Sequence, residues 1–157
     1  KRLPNLAKFA INRYAPYRGA GIKIKQFKLA QGYVKVHMPL TSRNRNIVGV
    51  HFGGSLYAMV DPFFMLILMH HLGRDYIVWD KAAEIEFISP GRREVYAEFY
   101  IPLTEINTIR ELAANNQPVF RQYDVQVFDT ENQLVARVKK TLYIRVKKSV
   151  KATTSAS

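Results

Sequence analysis

The stretch from Leu56 to Met69, LYAMVDPFFMLILM, is the most apolar part of the sequence and is interrupted only by Asp61 and Pro62. It is too short and too interrupted to cross a membrane, which takes about 20 apolar residues. A helix that is apolar on every side must be covered on every side by protein. Gly73 supplies a stop signal at its far end. The fold must therefore place this helix inside something that surrounds it.

The rest of the chain supplies the surround. Residues 3–14 carry helical spacing (Leu3, Leu6, Phe9, Ala10, Tyr14), which Pro16 ends. Ile22 and Ile24 alternate with Lys23 and Lys25, and Val34, Val36 and Met38 with Lys35 and His37, a strand pair turning at Gln31-Gly32. Residues 41–49 are polar and loop-like. After the apolar helix come four more strand-like runs. Ile77, Trp79, Ala83, Ile85 and Phe87 read as one face, and Val95, Ala97, Phe99 and Ile101 as the next. Val119, Tyr123, Val125 and Val127 make a third. In the last, Leu134, Ala136, Val138, Leu142, Ile144 and Val146 oppose Arg137, Lys139, Tyr143, Arg145 and Lys147. Pro90-Gly91 and Glu131-Asn132 mark turns, and 104–115 reads as a short helix capped by Thr104 or Asn107. Strands with one polar face argue for an antiparallel sheet, and the apolar helix argues that the sheet curls around it, an α+β fold. The expected organisation is a helical segment over 1–19, one domain over 20–148 and a disordered tail over 149–157.

Composition narrows the function classes. A chain of 157 residues with 48% hydrophobic side chains buries a full core, roughly 70% of its unfolded surface. Zero Cys excludes a disulfide scaffold, thiolate zinc sites and cysteine nucleophiles. It fits a reducing compartment, and with no visible secretory signal the expected location is cytoplasmic; a start at Lys1 is compatible with removal of a short leader or tag. The net charge of +12 is uneven: residues 1–60 hold 11 bases and no acid, and from Arg137 onward there are 7 bases and no acid. Paired in space, these ends would make a cationic face for a phosphate-bearing cofactor, anionic membrane or nucleic acid; otherwise they are a solvated sheet surface. No base-stacking or groove-reading motif supports nucleic acid.

The residues that carry chemistry lie between Asn46 and Asp61, NIVGVHFGGSLYAMVD. Gly53-Gly54 opens the apolar helix, where backbone N–H groups without acceptors can polarise a carbonyl. Asp61 is a costly acid in an apolar run, which points to a task, but Asp61-Pro62 also reads as an N-cap before a first-turn proline. If the helix starts near Ser55 instead, Pro62 must kink it. His51 reads either as a general base or as a structural hydrogen-bonding residue. His70 and His71 are adjacent, so on a helix they point apart and form no metal pair. No metal is expected, and no nucleophile elbow, phosphate loop or dinucleotide fingerprint appears.

With the element order, the pattern Asn46-x-x-Gly49-x-x-x-Gly53-Gly54 and Asp61 seven residues later resemble the hotdog-fold acyl-CoA thioesterases, the phenylacetic-acid-degradation type in particular. The resemblance covers roughly residues 20–147, and a helix reading GGSLYAMVDPFF is typical of one branch of that superfamily. It implies a curved antiparallel sheet wrapped around one long central helix, dimerised through continuous sheets, often paired again into a tetramer, with active sites at the dimer interface. It further implies a thioester carbonyl polarised by the Gly54 N–H, an attacking or base carboxylate at Asp61 from the partner's helix, and Asn46 placing water or substrate. The family usually has His directly before the two glycines; here Phe52 stands there and His51 one residue earlier. Gly53, Phe52, Tyr57 and Phe64 are expected at the acyl group, favouring a medium, long or aromatic chain. Arg92 and Arg93 are expected either at coenzyme A phosphates or as plain turn charge. Coenzyme A is part of the substrate, and no further cofactor is implied. A protein that binds acyl groups without turnover is the alternative, and a dehydratase using His51 with Asp61 a further one.

Overall fold

The computed structural model describes residues 3–148; the expected tail, 149–157, lies outside the described residues. The apolar run forms two helices, α3 (Gly53–Ala58) and α4 (Phe63–Leu72), separated by a turn over 59–62. The break falls where Pro62 has no N–H for a continuing helix, and Leu66 N–H to the Pro62 carbonyl, 2.9 Å, restarts the pattern. The expected single long helix is thus a segment broken once. By length and composition Gly53–Leu72 would pass for a membrane span, but its large side chains are spent in the core. Phe63, Phe64, Ile67, Leu68 and Leu72 are buried, each worth about 1.5–3 kcal/mol of apolar transfer. Coverage is incomplete, because Met69 is 48% exposed.

Six strands wrap this segment in one antiparallel sheet: β1 (Lys23–Lys28), β2 (Tyr33–Met38), β3 (Tyr76–Phe87), β4 (Val95–Tyr100), β5 (Val119–Asp129) and β6 (Leu134–Val146). Their spatial order is β1-β2-β4-β5-β6-β3, and the sheet curved around a central helix is the hotdog arrangement. β4 and β5 stand between the basic N-terminal strands and β6, so two strands separate the two cationic ends of the sequence in the sheet. The hairpin between β1 and β2 closes on a short 3-10 turn, Leu29–Gln31, and on Gly32 at φ +67°. A Cβ there would lie 2.0 Å from the Ile101 carbonyl oxygen, so both backbone angle and space demand glycine. β3 bulges between Asp80 and Ala82. The bulge reverses the phase of the strand, so Val78, Asp80, Ala83, Ile85 and Phe87 align with the inward residues of β6. Ile77 and Trp79 face outward instead, correcting the single face read from the sequence; Trp79 stacks beside Tyr143 on the outer surface.

The N-terminal helix is also broken, into α1 (Leu3–Arg13) and α2 (Ala15–Ala20), with Pro16 in the first turn of α2 where its missing N–H costs nothing. Buried Tyr17 of α2 donates its hydroxyl to the Ala58 carbonyl, 2.9 Å, tying the N-terminal helices to the end of α3. α5 (Leu103–Ala113) is capped by neither Thr104 nor Asn107: its N-cap is Pro102, without a side-chain bond. It is fixed instead from the sheet, where Arg121 holds Glu105 through two bonds of 2.7 Å and Tyr123 adds a third at 2.9 Å.

Candidate functional site

The loop before α3 is organised by two asparagines. Buried Asn44 donates to the Ala20 and Pro39 carbonyls, 2.8 and 2.7 Å, and accepts from Thr41 N–H at 2.7 Å. Asn46 Oδ1 accepts from Val48 and Val50 N–H, 3.0 and 3.2 Å, so its amide is oriented with the NH2 outward. Phe52 is the N-cap residue of α3, and its carbonyl takes the Ser55 and Leu56 N–H groups. That leaves the Gly53 and Gly54 N–H groups with no acceptor among the described residues. Exposed Phe52 lies against Gly54, where a Cβ would come 2.6 Å from its ring.

His51 is 3% exposed. Its Nε2 lies 2.7 Å from the Arg93 carbonyl oxygen, which can only accept, so Nε2 carries the proton. Nδ1 is buried and has no partner among the described residues. Burial pushes the imidazole pKa down, the Arg93 bond offsets only part of this, and the ring is neutral at pH 7. Gly91 permits this packing, since a Cβ there would lie 2.9 Å from the ring. A cavity of about 350 Å³ opens here between Asn46, His51, Gly53, Leu56, Phe87 and Ile88. Asn46, His51 and Gly53 line it, whereas Gly54 does not.

Asp61 is not a helix cap. The N-cap position of α4 is Pro62 with no side-chain bond. Asp61 Oδ1 instead accepts from Tyr57 Oη, 2.9 Å, and from Lys140 Nζ, 2.8 Å; the same ammonium reaches the Asp61 carbonyl at 2.9 Å. Oδ2 has no partner among the described residues, and the side chain is 47% exposed. Lys140, on β6, has no exposed surface. Asp80 Oδ1 lies 3.0 Å from its Nζ but outside hydrogen-bonding geometry, a charge contact rather than a bond. Burial pulls the Lys140 pKa down, but the bond to Asp61, with Asp80 and Tyr57 beside it, more than offsets this and holds it above the usual lysine value. Burial pushes the Asp80 carboxyl up, opposed by Lys140. Lys140 was missed from the sequence, although it sits in phase with inward Val138 and Leu142.

Gly54 and Asp61 are seven positions apart, the first in α3 and the second in the turn that follows it. Other expected residues fall elsewhere. Phe64 is 2% exposed, packed between Phe99 and Tyr123 at 5.2 and 5.1 Å between ring centres, so it belongs to the core and not to this cavity. The Arg93 guanidinium is held by Asp129 and Glu131, 3.3 and 3.1 Å, leaving Arg92 exposed beside it. A larger depression, about 700 Å³, lies on the outer face of the sheet. Its lining mixes Glu84, Glu86, Glu98 and Asp124 with Arg137 and Lys139 and includes no residue of the helix start. Among the described residues no group of three or more His, Asp or Glu is placed to hold a metal ion.

Solved structures share this architecture. A Pseudomonas aeruginosa protein of unknown function, described as a probable thioesterase, superposes with a TM-score of 0.79 at 18% identity, over 91% of this chain and 95% of that one. A thioesterase from Haemophilus influenzae gives 0.63 at 17%, covering 87% of each chain. The E. coli PaaI protein from the phenylacetic acid degradation operon gives 0.59 at 17%, over 90% and 91%. Likeness at these identities establishes the fold alone. No curated protein matches the sequence. The helices, the sheet and the loop with its two glycines all fall within residues 4–144, which match the family described as a domain of unknown function, DUF4442, and the chain belongs to that family.

Proposed function

We propose that the protein is a cytoplasmic thioesterase that hydrolyses an acyl thioester of coenzyme A or an acyl carrier protein at a site shared between two protomers. The observation that carries this reading is that the free N–H groups lie at the start of α3 while the free Asp61 oxygen lies in the turn beyond its other end. Each chain holds two half-sites, and a second copy is needed to bring complementary halves to one carbonyl. The thioester oxygen accepts from the Gly54 N–H, while the outward NH2 of Asn46 holds the water or the substrate. Asp61 Oδ2 of the partner subunit takes a proton from that water, the hydroxide adds to the carbonyl carbon, and the C–S bond breaks as the thiolate leaves and is protonated. Direct attack by the carboxylate, giving an anhydride that water then opens, uses the same atoms. Tyr57 and Lys140 occupy Oδ1 and so aim Oδ2.

Support for the pairing comes from β3, a twelve-residue edge strand with most of its residues exposed. An edge of that length invites pairing with another chain. A homodimer joined there, alone or doubled into a tetramer, would also cover Phe87 and Ile88 beside the cavity. The names of the Haemophilus and Pseudomonas relatives agree with the chemistry. The test is thiol release from a panel of acyl-CoAs by wild type and Asp61→Asn. Release with one acyl class, reduced at least about 100-fold in a variant that keeps its circular dichroism, is the expected result. No release across the panel, nor from the same acyl groups on an acyl carrier protein, overturns it. One observation favours a second reading, acyl binding without turnover: the His51 proton is engaged by the Arg93 carbonyl and is not offered to a substrate.

A further inference from the structure

Arg18, Arg43 and Arg45 have no carboxylate partner among the described residues, and no acid occurs in the first 60 residues. They line two neighbouring hollows between α2 and the loop before α3. One, about 420 Å³, is walled by Arg43, Arg45 and Gly19 and reaches Asn46, Phe52 and Ser55 at the helix start. The next, about 410 Å³, continues from Gly19 and Arg43 to Arg18 and Lys23. From this we propose that the groove binds the phosphate groups at the nucleotide end of coenzyme A, an assignment that rests on the thioesterase reading.

The groove is built rather than a chance surface. Asn44, 5% exposed, lies between Arg43 and Arg45 in sequence and ties their loop to the carbonyl of Ala20 at the end of α2. Arg45 pairs through its backbone with His51, which joins the loop to the cavity wall. The backbone from which Arg43 and Arg45 project is therefore fixed before a ligand arrives, which lowers the ordering cost of binding. Guanidinium groups match phosphate oxygens in paired, charge-assisted hydrogen bonds. Asn46 lines both the cationic hollow and the cavity bounded by Leu56, Phe87 and Ile88. A thioester lying at the start of α3 thus has an apolar hollow beside Gly53 and Leu56 for its acyl group and a cationic one beside Phe52 and Ser55 for its carrier. Three arginines and a lysine suit the nucleotide's several phosphates better than the single phosphodiester of a carrier-bound arm. Arg93, already held by two acids, does not compete for this role.

The test is calorimetric titration with free coenzyme A, 3′,5′-ADP and phosphopantetheine, using wild type and Arg43→Gln/Arg45→Gln. Coenzyme A and 3′,5′-ADP are expected to bind about tenfold or more weakly to the double variant. The preference of hydrolysis for an acyl-CoA over the same acyl group on N-acetylcysteamine is expected to fall by a similar factor. Unchanged coenzyme A affinity overturns the assignment, as does a variant effect on phosphopantetheine but not on 3′,5′-ADP. So does a short RNA that binds at this groove and is not displaced by coenzyme A. Absence of hydrolysis on every substrate would count against the thioesterase reading, while the titration would still decide the groove.

Discussion

Lys140 is buried without exposed surface because oxygens from two other parts of the chain converge on it: the Asp61 carboxylate and carbonyl, the Tyr57 hydroxyl and, alongside, Asp80. Removing one member of such a cluster costs more than the cluster itself is worth, since the charges left behind stay desolvated. Lys140→Met is expected to destabilise the fold by about 2–4 kcal/mol in urea unfolding, and adding Asp80→Asn to recover part of the loss. A loss below about 1 kcal/mol in the single variant would show that the cluster contributes little. Half of this cluster was legible in the sequence, as an acid inside an apolar run. The other half was legible only as a phase error, a lysine where the alternation of β6 demands an apolar residue. Nothing local says that positions 61 and 140 answer one another; that follows from the sheet wrapping the helix. Asn46 shows the same limit, because its residue type suggests a ligand while its contacts reveal that only the NH2 end is free.

The elements themselves were readable wherever a single period ran without interruption, as in β2, β4 and β6. They were misread where one residue breaks the period. In β3 the bulge after Asp80 moved Ile77 and Trp79 to the outer face, and Pro62 and Tyr14 mark the breaks in the two helical runs. α5 was located, but its anchor was not, because Glu105 is fixed by residues of β5 rather than by a cap. Arg121 grips both carboxylate oxygens, and its bond, ahead of that from Tyr123, holds the Glu105 carboxyl below the usual range. Glu105→Gln keeps the shape and loses the charge, and is expected to cost about 1–3 kcal/mol in thermal or urea unfolding. Hydrogen exchange should rise first in Leu103–Ala113 if the anchor works as described.

Across the whole molecule, stability should form a plateau in pH with a fall on each side. Buried His51 and exposed His70, which has His71 beside it, both have lowered pKa values, so the unfolded chain binds protons more readily as pH drops below the ordinary 6.5. Stability is fully present above that value and is lost on acidification, with Glu105 adding a further loss once its lowered pKa is crossed. On the alkaline side the raised Lys140 contributes stability that is complete below 10.5 and is lost as pH rises through its folded pKa. Melting temperature against pH checks this, and His51→Asn should flatten the first part of the acid limb while leaving the His70 share. The uneven charge of the sequence allowed either one cationic face or a solvated sheet surface; the sheet order puts two strands between its basic ends, and the N-terminal part lines a groove. The distance between Gly54 and Asp61 also reaches into genetics. On the shared-site reading, Asp61→Asn and Gly54→Pro are each inactive alone, yet each chain supplies what the other lacks. Unfolded together and refolded at equal amounts, they should recover about a quarter of wild-type activity, from mixed pairs with one intact site each. Two null alleles of this one locus would then complement in a cell that expresses both.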